Sequence, residues 1–334
     1  MADHIDSMAY VGEIPWHGLG TYLGDQDVDA QTMQRAAGLT WRVEKQPVTC
    51  NGHIIDDQFG IVRSDTGKPF PNTTVGRVFT PLQNDDLFAF GEALRDASGG
   101  EIKWHTAGGL MGGRKVWALG RVAGEIRVER RNGTVDRTAP FLLLHNAHDG
   151  KSPIVLAATT VRVVCWNTLS LALGESKETS YRIRHTRSAD ARMAEAAHGL
   201  GLAFDAYGAY AEFTQDLADT PMTGDSFAEF CAQLLTGKDD AREALAVVAE
   251  SEGRARTLYE NKGAELTHLF KRGTGNSGAD RFDALNAVTE WIDQSRGRLA
   301  TYKRNAERME KAFVASQFGS GSDLKARAVA LLSR

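Results

Sequence analysis

Two apolar runs separated by one polar turn dominate the middle of this chain and leave it little choice but a sheet. Phe141-Leu142-Leu143-Leu144 follows Pro140, and the polar segment His145 to Pro153 interrupts. A second apolar run then extends from Ile154 to Val164. Apolar runs bounded by turn residues in this way read as strands of a sheet core. After Cys165-Trp166-Asn167-Thr168 comes Tyr181-Arg182-Ile183-Arg184-His185, whose alternation is that of a half-buried strand.

The flanks extend the pattern differently. Upstream, Asp29 can cap a short helix, Ala30 to Ala37, stopped by Gly38. Trp41 to Val48 reads as a strand, and Asn51-Gly52 as a hairpin turn leading into Ile54-Ile55 and Gly60 to Arg63. Val75 to Thr80 is a further predicted strand, ended by Pro81. Asn84 caps a helix over Asp85 to Ala97, with two acids where the dipole favours them. Ile102 to Thr106, then Lys115 to Val122, flank a glycine-rich connection at Gly108 to Gly113. Ile126 to Arg131 and Thr134 to Thr138 form a hairpin around Asn132-Gly133, a type I′ dipeptide. Asn167 precedes a predicted short helix, Thr168 to Leu173. From Ser188 the period becomes helical: Ala189 to about Ala218, Phe227 to Leu235, Asp239 to Lys271 with a bend at Gly253, Arg281 to Gln294, Ala306 to Gln317 and Asp323 to Leu332.

This pattern predicts an α+β fold: an antiparallel β-sheet of consecutive hairpins with a long helix packed across it, followed by a mostly helical C-terminal region. Three segments result: an N-terminal β/α segment (1–100), a basic β-rich core with the long helix (101–220) and a helical C-terminal region (221–334).

Charge narrows the function. The net charge is −4, but it is unevenly placed. Residues 1–100 carry −7, residues 101–190 carry +6 and residues 191–334 carry −3. A basic middle between acidic flanks is the footprint of one polyanion-binding face. The basic set is Arg114, Lys115, Arg121, Arg127, Arg130, Arg131, Arg162, Arg182, Arg184 and Arg187, mostly Arg, which suits forked contact with phosphate oxygens. Trp104, Trp117, Trp166 and Tyr181 are interleaved with them. Trp104 and Trp166 are taken as platforms on which bases stack.

Other chemistries have less support. Gly108-x-x-x-x-Gly113 is followed by Arg114-Lys115-Val116, where a phosphate-binding P-loop needs Lys and then Ser or Thr, and a strand follows where a helix should. ATP binding is therefore rejected, and no cofactor is expected. His145, His148 and Asp149 could offer metal ligands to a nuclease, but no matching acidic cluster accompanies them. They read better as turn residues, as does His17 in its glycine loop. Cys50, Cys165 and Cys231 are odd in number and widely spaced, which suits the cytosol and argues against a disulfide framework. Neither a signal peptide nor a membrane span is expected.

Several words in the chain carry a resemblance. They are Val75-Gly76-x-x-Phe79-x-Pro81-Leu82-Gln83-Asn84, Arg162-Val163-Val164-Cys165-x-Asn167-Thr168 and Asn286-Ala287-Val288-Thr289-Glu290. Trp16-His17-Gly18-Leu19-Gly20 and Phe318-Gly319-Ser320-Gly321 fit as well. Together they resemble the phage/plasmid-like proteins of unknown function found in bacteriophages, prophages and plasmids, a group with no firmly assigned activity. At the level of fold alone, hairpins with a basic face and a long helix are similar to the single-strand annealing proteins, the superfamily of Rad-type annealing protein, RecT, Redβ and Erf. That resemblance implies rings or filaments that hold single strands in a basic groove without ATP.

The expectation is a cytoplasmic protein of a bacterial host cell, phage- or plasmid-derived. It binds single-stranded DNA, promotes annealing in recombination and acts as a homo-oligomer without catalytic residues. The alternatives are a metal-dependent nuclease using His145, His148 and Asp149, and a non-enzymatic phage protein that binds host factors.

Overall fold

The computed structural model describes residues 5–12, 20–149, 154–162, 168–170, 180–183, 189–295 and 320–334. The fold is α+β, with antiparallel sheets and a helical C-terminal region. Two compact units interleave along the sequence. One holds Met1–Ala123, Pro140–Ala158 and Lys177–Asp205; the other holds Gly124–Ala139, Thr159–Ser176 and Ala206–Arg334.

The first unit begins with β1 (Ile5–Tyr10), β2 (Thr21–Tyr22) and α1 (Ala30–Ala36). Asp29 caps α1 as its sequence predicts, accepting the Thr32 N–H at 2.6 Å. A three-stranded sheet follows, β3 (Val43–Cys50), β4 (His53–Arg63) and β5 (Pro69–Val75), ordered β3-β4-β5. The expected strand at Val75–Thr80 is displaced upstream to β5. Pro69 and Pro71 disguise it, because among the described residues β5 pairs only with β4 and an edge strand tolerates proline.

Helix α2 (Asn84–Ala97) is capped by Gln83 rather than Asn84: the Asp86 carboxylate accepts the Gln83 N–H at 3.0 Å. Its buried face, Leu87, Phe88, Phe90 and Leu94, packs on β6 (Ile102–Leu110) and β7 (Lys115–Val122). Gly91 leaves room for the Trp104 indole, into which a Cβ would run. Strand β6 is longer than predicted, because Gly108 and Gly109 belong to it. A Cβ on Gly108 would stand 2.8 Å from the Ser7 carbonyl oxygen of β1, so glycine lets the two backbones pair.

Phe141 to Leu144 belongs to β9 (Val135–Ala147), which continues the strand predicted at Thr134–Thr138. Residues 141–147 pair with β7, and residues 135–138 with β8 (Ile126–Glu129). Pro140, which has no N–H, falls between the two ladders. The order in the first unit is β10-β9-β7-β6-β1-β2, where β10 is Ile154–Arg162, and β12 (Ser180–Ile183) pairs with β10. The ladders for which a register is known are antiparallel apart from β1 with β2.

In the second unit, β8 and the start of β9 form the predicted hairpin with a different turn. Glu129 pairs with Val135, and the Arg130 N–H donates to the Thr134 carbonyl. Gly133 is left-handed (φ 83°) while Asn132 is not. The loop is five residues, not the two of a type I′ turn. Thr168–Ser170 forms β11, antiparallel to Thr159–Val161, and not the start of a helix. So short a segment lies below what periodicity can resolve.

The helices are α3 (Ala189–Asp219), α4 (Gly224–Thr236), α5 (Ala241–Glu250), α6 (Gly253–Arg272), α7 (Arg281–Glu290), a π-helical turn at Trp291–Ser295 and α8 (Ser320–Leu332). The single helix expected over Asp239–Lys271 is two, separated at Ser251-Glu252, with Gly253 at φ 53°. Phe227 and Phe270 stack at 4.1 Å, with Phe230, Phe282 and Trp291 also buried. Each such side chain contributes roughly 2–3 kcal/mol of burial. The helix predicted at Ala306–Gln317, and Ser188, the expected cap of the long helix from Ala189, lie outside the described residues.

Two glutamines finish open strand edges. Val43 donates to Gln83 Oε1 (2.9 Å) and accepts from Gln83 Nε2 (3.0 Å). Glu129 does the same with Gln215 of α3, at 2.9 and 3.0 Å.

Candidate nucleic-acid interface

Strand alternation and register sort the basic residues. On β8 and β9, Ile126, Val128, Asp136 and Thr138 point inward, so Arg127 and Arg137 point out. The register sets Arg127 directly opposite Arg137. On β6 and β7, Lys103 stands opposite Arg121, both exposed. Like charges directly opposite each other disfavour a sheet by up to about 1 kcal/mol. Lys103, Arg121 and Arg127 have no carboxylate partner among the described residues, and Arg137 has only Glu125, at 3.7 Å. Arg131, exposed in the hairpin loop, is also without one.

Two predicted contacts require correction. Arg130 is not at the surface: it is 7% exposed, and its Nη2 donates to Asp280 (3.0 Å) and Asp283 (2.5 Å) beneath the Phe282 ring. Burial, together with the neighbouring Asp283 carboxylate, holds the Asp280 carboxyl above its usual range against the pull of Arg130. A phosphate would have to displace two buried carboxylates to reach this guanidinium. Trp104 offers no stacking face: it is 4% exposed, and its indole N–H donates to Glu92 Oε1 at 2.9 Å. Trp117 is buried as well.

Arg114 and Lys115 sit half-buried where β7 begins, away from the two exposed pairs in sequence. Arg162 and Arg182 belong to β10 and β12 by backbone. Arg184, Arg187 and Trp166 lie outside the described residues. Sequence reasoning missed Lys103 and Arg137. A two-residue turn at Asn132-Gly133 shifts the register by one and takes Arg137 away from Arg127, and such a slip moves every side chain to the other face.

The turn at His145–Asp149 is built into the core. His148 Nε2 lies 3.0 Å from Asn84 Oδ1, and its ring stacks on Phe70 and meets the Trp41 edge. Burial pushes both His145 and His148 down to about 4, so both are neutral at pH 7. Among the described residues no group of three His, Cys, Asp or Glu could hold a metal ion. The words around Gln83-Asn84 and Asn286 to Glu290 are likewise structural here. Asn84 Nδ2 donates to the Leu39 and Trp41 carbonyls, and α7 is buried along its length.

A family model described as a domain of unknown function matches residues 72–313, well over half of the chain. The chain belongs to the DUF932 family. The DUF932 match takes in both like-charge pairs, Arg130 with its two aspartates, and Gln215. It starts after α1, β3 and β4. No curated protein and no solved structure matches the chain. No helix among the described residues is long and apolar enough to cross a membrane.

Proposed function

We propose that this DUF932 protein binds single-stranded DNA and promotes its annealing, as a homo-oligomer in the cytoplasm of a bacterial host, from a phage- or plasmid-borne gene. The observation that carries the reading is the pair of like-charge cross-strand couples, Lys103 with Arg121 and Arg127 with Arg137. Each costs stability in the free protein, and a polyanion relieves that cost. The mechanism is electrostatic. Arg and Lys neutralise the sugar-phosphate backbone while the bases stay free to pair, and no nucleotide hydrolysis is needed. Stacking on Trp104 is no part of the reading.

A gel shift with single-stranded DNA across a salt series tests it. The logarithm of affinity falls by about 0.7 per phosphate contacted for each tenfold rise in salt. Replacing both Arg127 and Arg137 with Ala lowers affinity and flattens that slope. Unchanged affinity and slope in the double variant, or no binding at low salt, removes the reading. Negative-stain images of the DNA complex test assembly: rings or filaments support annealing, and isolated monomers count against it.

A further inference from the structure

The two segments set aside as an incomplete phosphate loop and an incomplete metal site meet at one end of the sheet. Lys115 pairs with Ala147, and the ladder continues as the His148 N–H donates to the Arg114 carbonyl at 2.8 Å. By that register the Arg114 and His148 side chains leave one face of the sheet.

Three observations converge there. Met111, Gly112 and Gly113 are consecutively left-handed, with φ of 58°, 72° and 83°. A non-glycine residue held so is strained, and strain of this kind collects at ligand sites. Next, Arg114 is half-buried and has no carboxylate partner among the described residues. Among the described residues its Nη2 reaches only the Met111 thioether, a weak acceptor, and its buried Nε–H has no acceptor. A partly buried, uncompensated charge is costly. Finally, His148 is 1% exposed and its tautomer is fixed. Asn84 Nδ2 is committed to two carbonyls, so Asn84 Oδ1 accepts and His148 Nε2 carries the hydrogen. Among the described residues the Nδ1 lone pair then faces no donor.

We propose that Arg114 and His148 form a binding site for a phosphate monoester. A singly protonated phosphate supplies both missing partners: a P–O⁻ oxygen accepts from Arg114, and the P–OH donates to His148 Nδ1. A phosphodiester has no P–OH, and sulfate at neutral pH has none either, so neither completes the site. Exposed Gly112 and the half-exposed Arg114 form the approach. The charged and titratable neighbours acting on His148 are Asp149, Arg63 and His145. Arg63 is already held by Asp65 and by the Gly112 carbonyl.

Titration calorimetry of the chain with methyl phosphate, a monoester, and with sulfate, at pH 6 and pH 8, tests the site. Phosphate monoesters lose their second proton near pH ~6. Methyl phosphate is expected to bind at least tenfold tighter than sulfate at pH 6, to weaken at pH 8 as its P–OH is lost, and to lose binding in Arg114→Met. Arg114 lies on a turn, and unchanged circular dichroism shows that the variant folds. Arg114→Lys, which keeps the charge without the Nε–H, is expected to bind both anions weakly and alike. A 5′-phosphorylated oligonucleotide that displaces methyl phosphate, where its 5′-hydroxyl form does not, identifies a strand end as the source. Displacement by neither leaves a small-molecule phosphate monoester as the ligand and the site intact. Equal affinity for methyl phosphate and sulfate, no methyl phosphate binding at pH 6 (as for a bridging water alone), or full binding by Arg114→Met overturns the proposal.

Discussion

The β3–β4 and β8–β9 hairpins carry the same Asn-Gly word and fold it differently. In the first, Asn51 and Gly52 both adopt positive φ, 51° and 81°, and the two-residue turn closes as its sequence predicts. Residues 49–58 of that hairpin are exposed on both faces, so only local turn chemistry decides the outcome. In the second, Arg130 is drawn inward to Asp280 and Asp283, which stand 150 residues away in sequence. The loop lengthens to let it go, and Asn132 keeps a negative φ. A dipeptide preference worth a few tenths of a kcal/mol governs a free hairpin and yields to a buried ion pair in an anchored one.

The sharpest break of this contrast is Arg130→Ala. It leaves two carboxylates buried and unpaired, and urea unfolding is expected to show a loss of about 3–5 kcal/mol. Truncating Arg127 or Arg137, one strand position of repulsion apiece, is expected to stay within about 0.5 kcal/mol or to stabilise. Equal losses at all three positions erase the distinction between anchor and exposed pair.

Acid separates the regions next. Burial pushes His105, His145 and His148 down to about 4, and all three belong to the first unit. The unfolded chain takes up protons below about pH 6.5 while the native state resists until about 4. The stability that neutral histidines supply is therefore complete above pH 6.5 and lost as pH falls toward 4, by about 3 kcal/mol for each. Asp280 has the opposite sign. Its raised native pKa is unfavourable at neutral pH and is relieved as pH falls through it. Hydrogen exchange at pH 7 and pH 5 is expected to show protection lost along β6, β7 and residues 140–147, with β8 and residues 135–138 still protected. Simultaneous loss in both refutes the difference.

Gln215→Ala, which removes two hydrogen bonds from Glu129, is expected to cost about 1–2 kcal/mol, read as a lower melting temperature and faster exchange of the Glu129 amide. The smallest effect compares the turns directly. Asn51→Gly is expected to be neutral or slightly stabilising, because that position is left-handed. Asn132→Gly is expected to lose about 0.5–1 kcal/mol, because that position is not left-handed and its Oδ1 accepts from the Thr134 N–H and hydroxyl.

Local signals were legible in the residues: Asp29 before α1, the limits of β7, and the change to helical period at Ala189. What stayed hidden depended on partners far along the chain. The Asp280-x-x-Asp283 pair reads as a helix cap, and indeed Asp280 accepts the Asp283 N–H, yet nothing local tells that the same carboxylates hold Arg130. Trp104 looks like a base platform until Gly91 is seen to open a slot for it. The prolines of β5 argue against a strand unless its pairing with β4 is known. Arg137 joined Arg127 as an exposed like-charge pair only when the register was set.

The glutamines at the strand edges carry a consequence for how molecules of this protein meet. Unpaired edge amides and carbonyls are where a second chain adds a strand, the first step toward aggregation. At Val43 and Glu129 a side-chain amide already fills both bonding positions. A single primary amide thus serves as a molecular end-stop, limiting runaway growth of the sheet at these two positions.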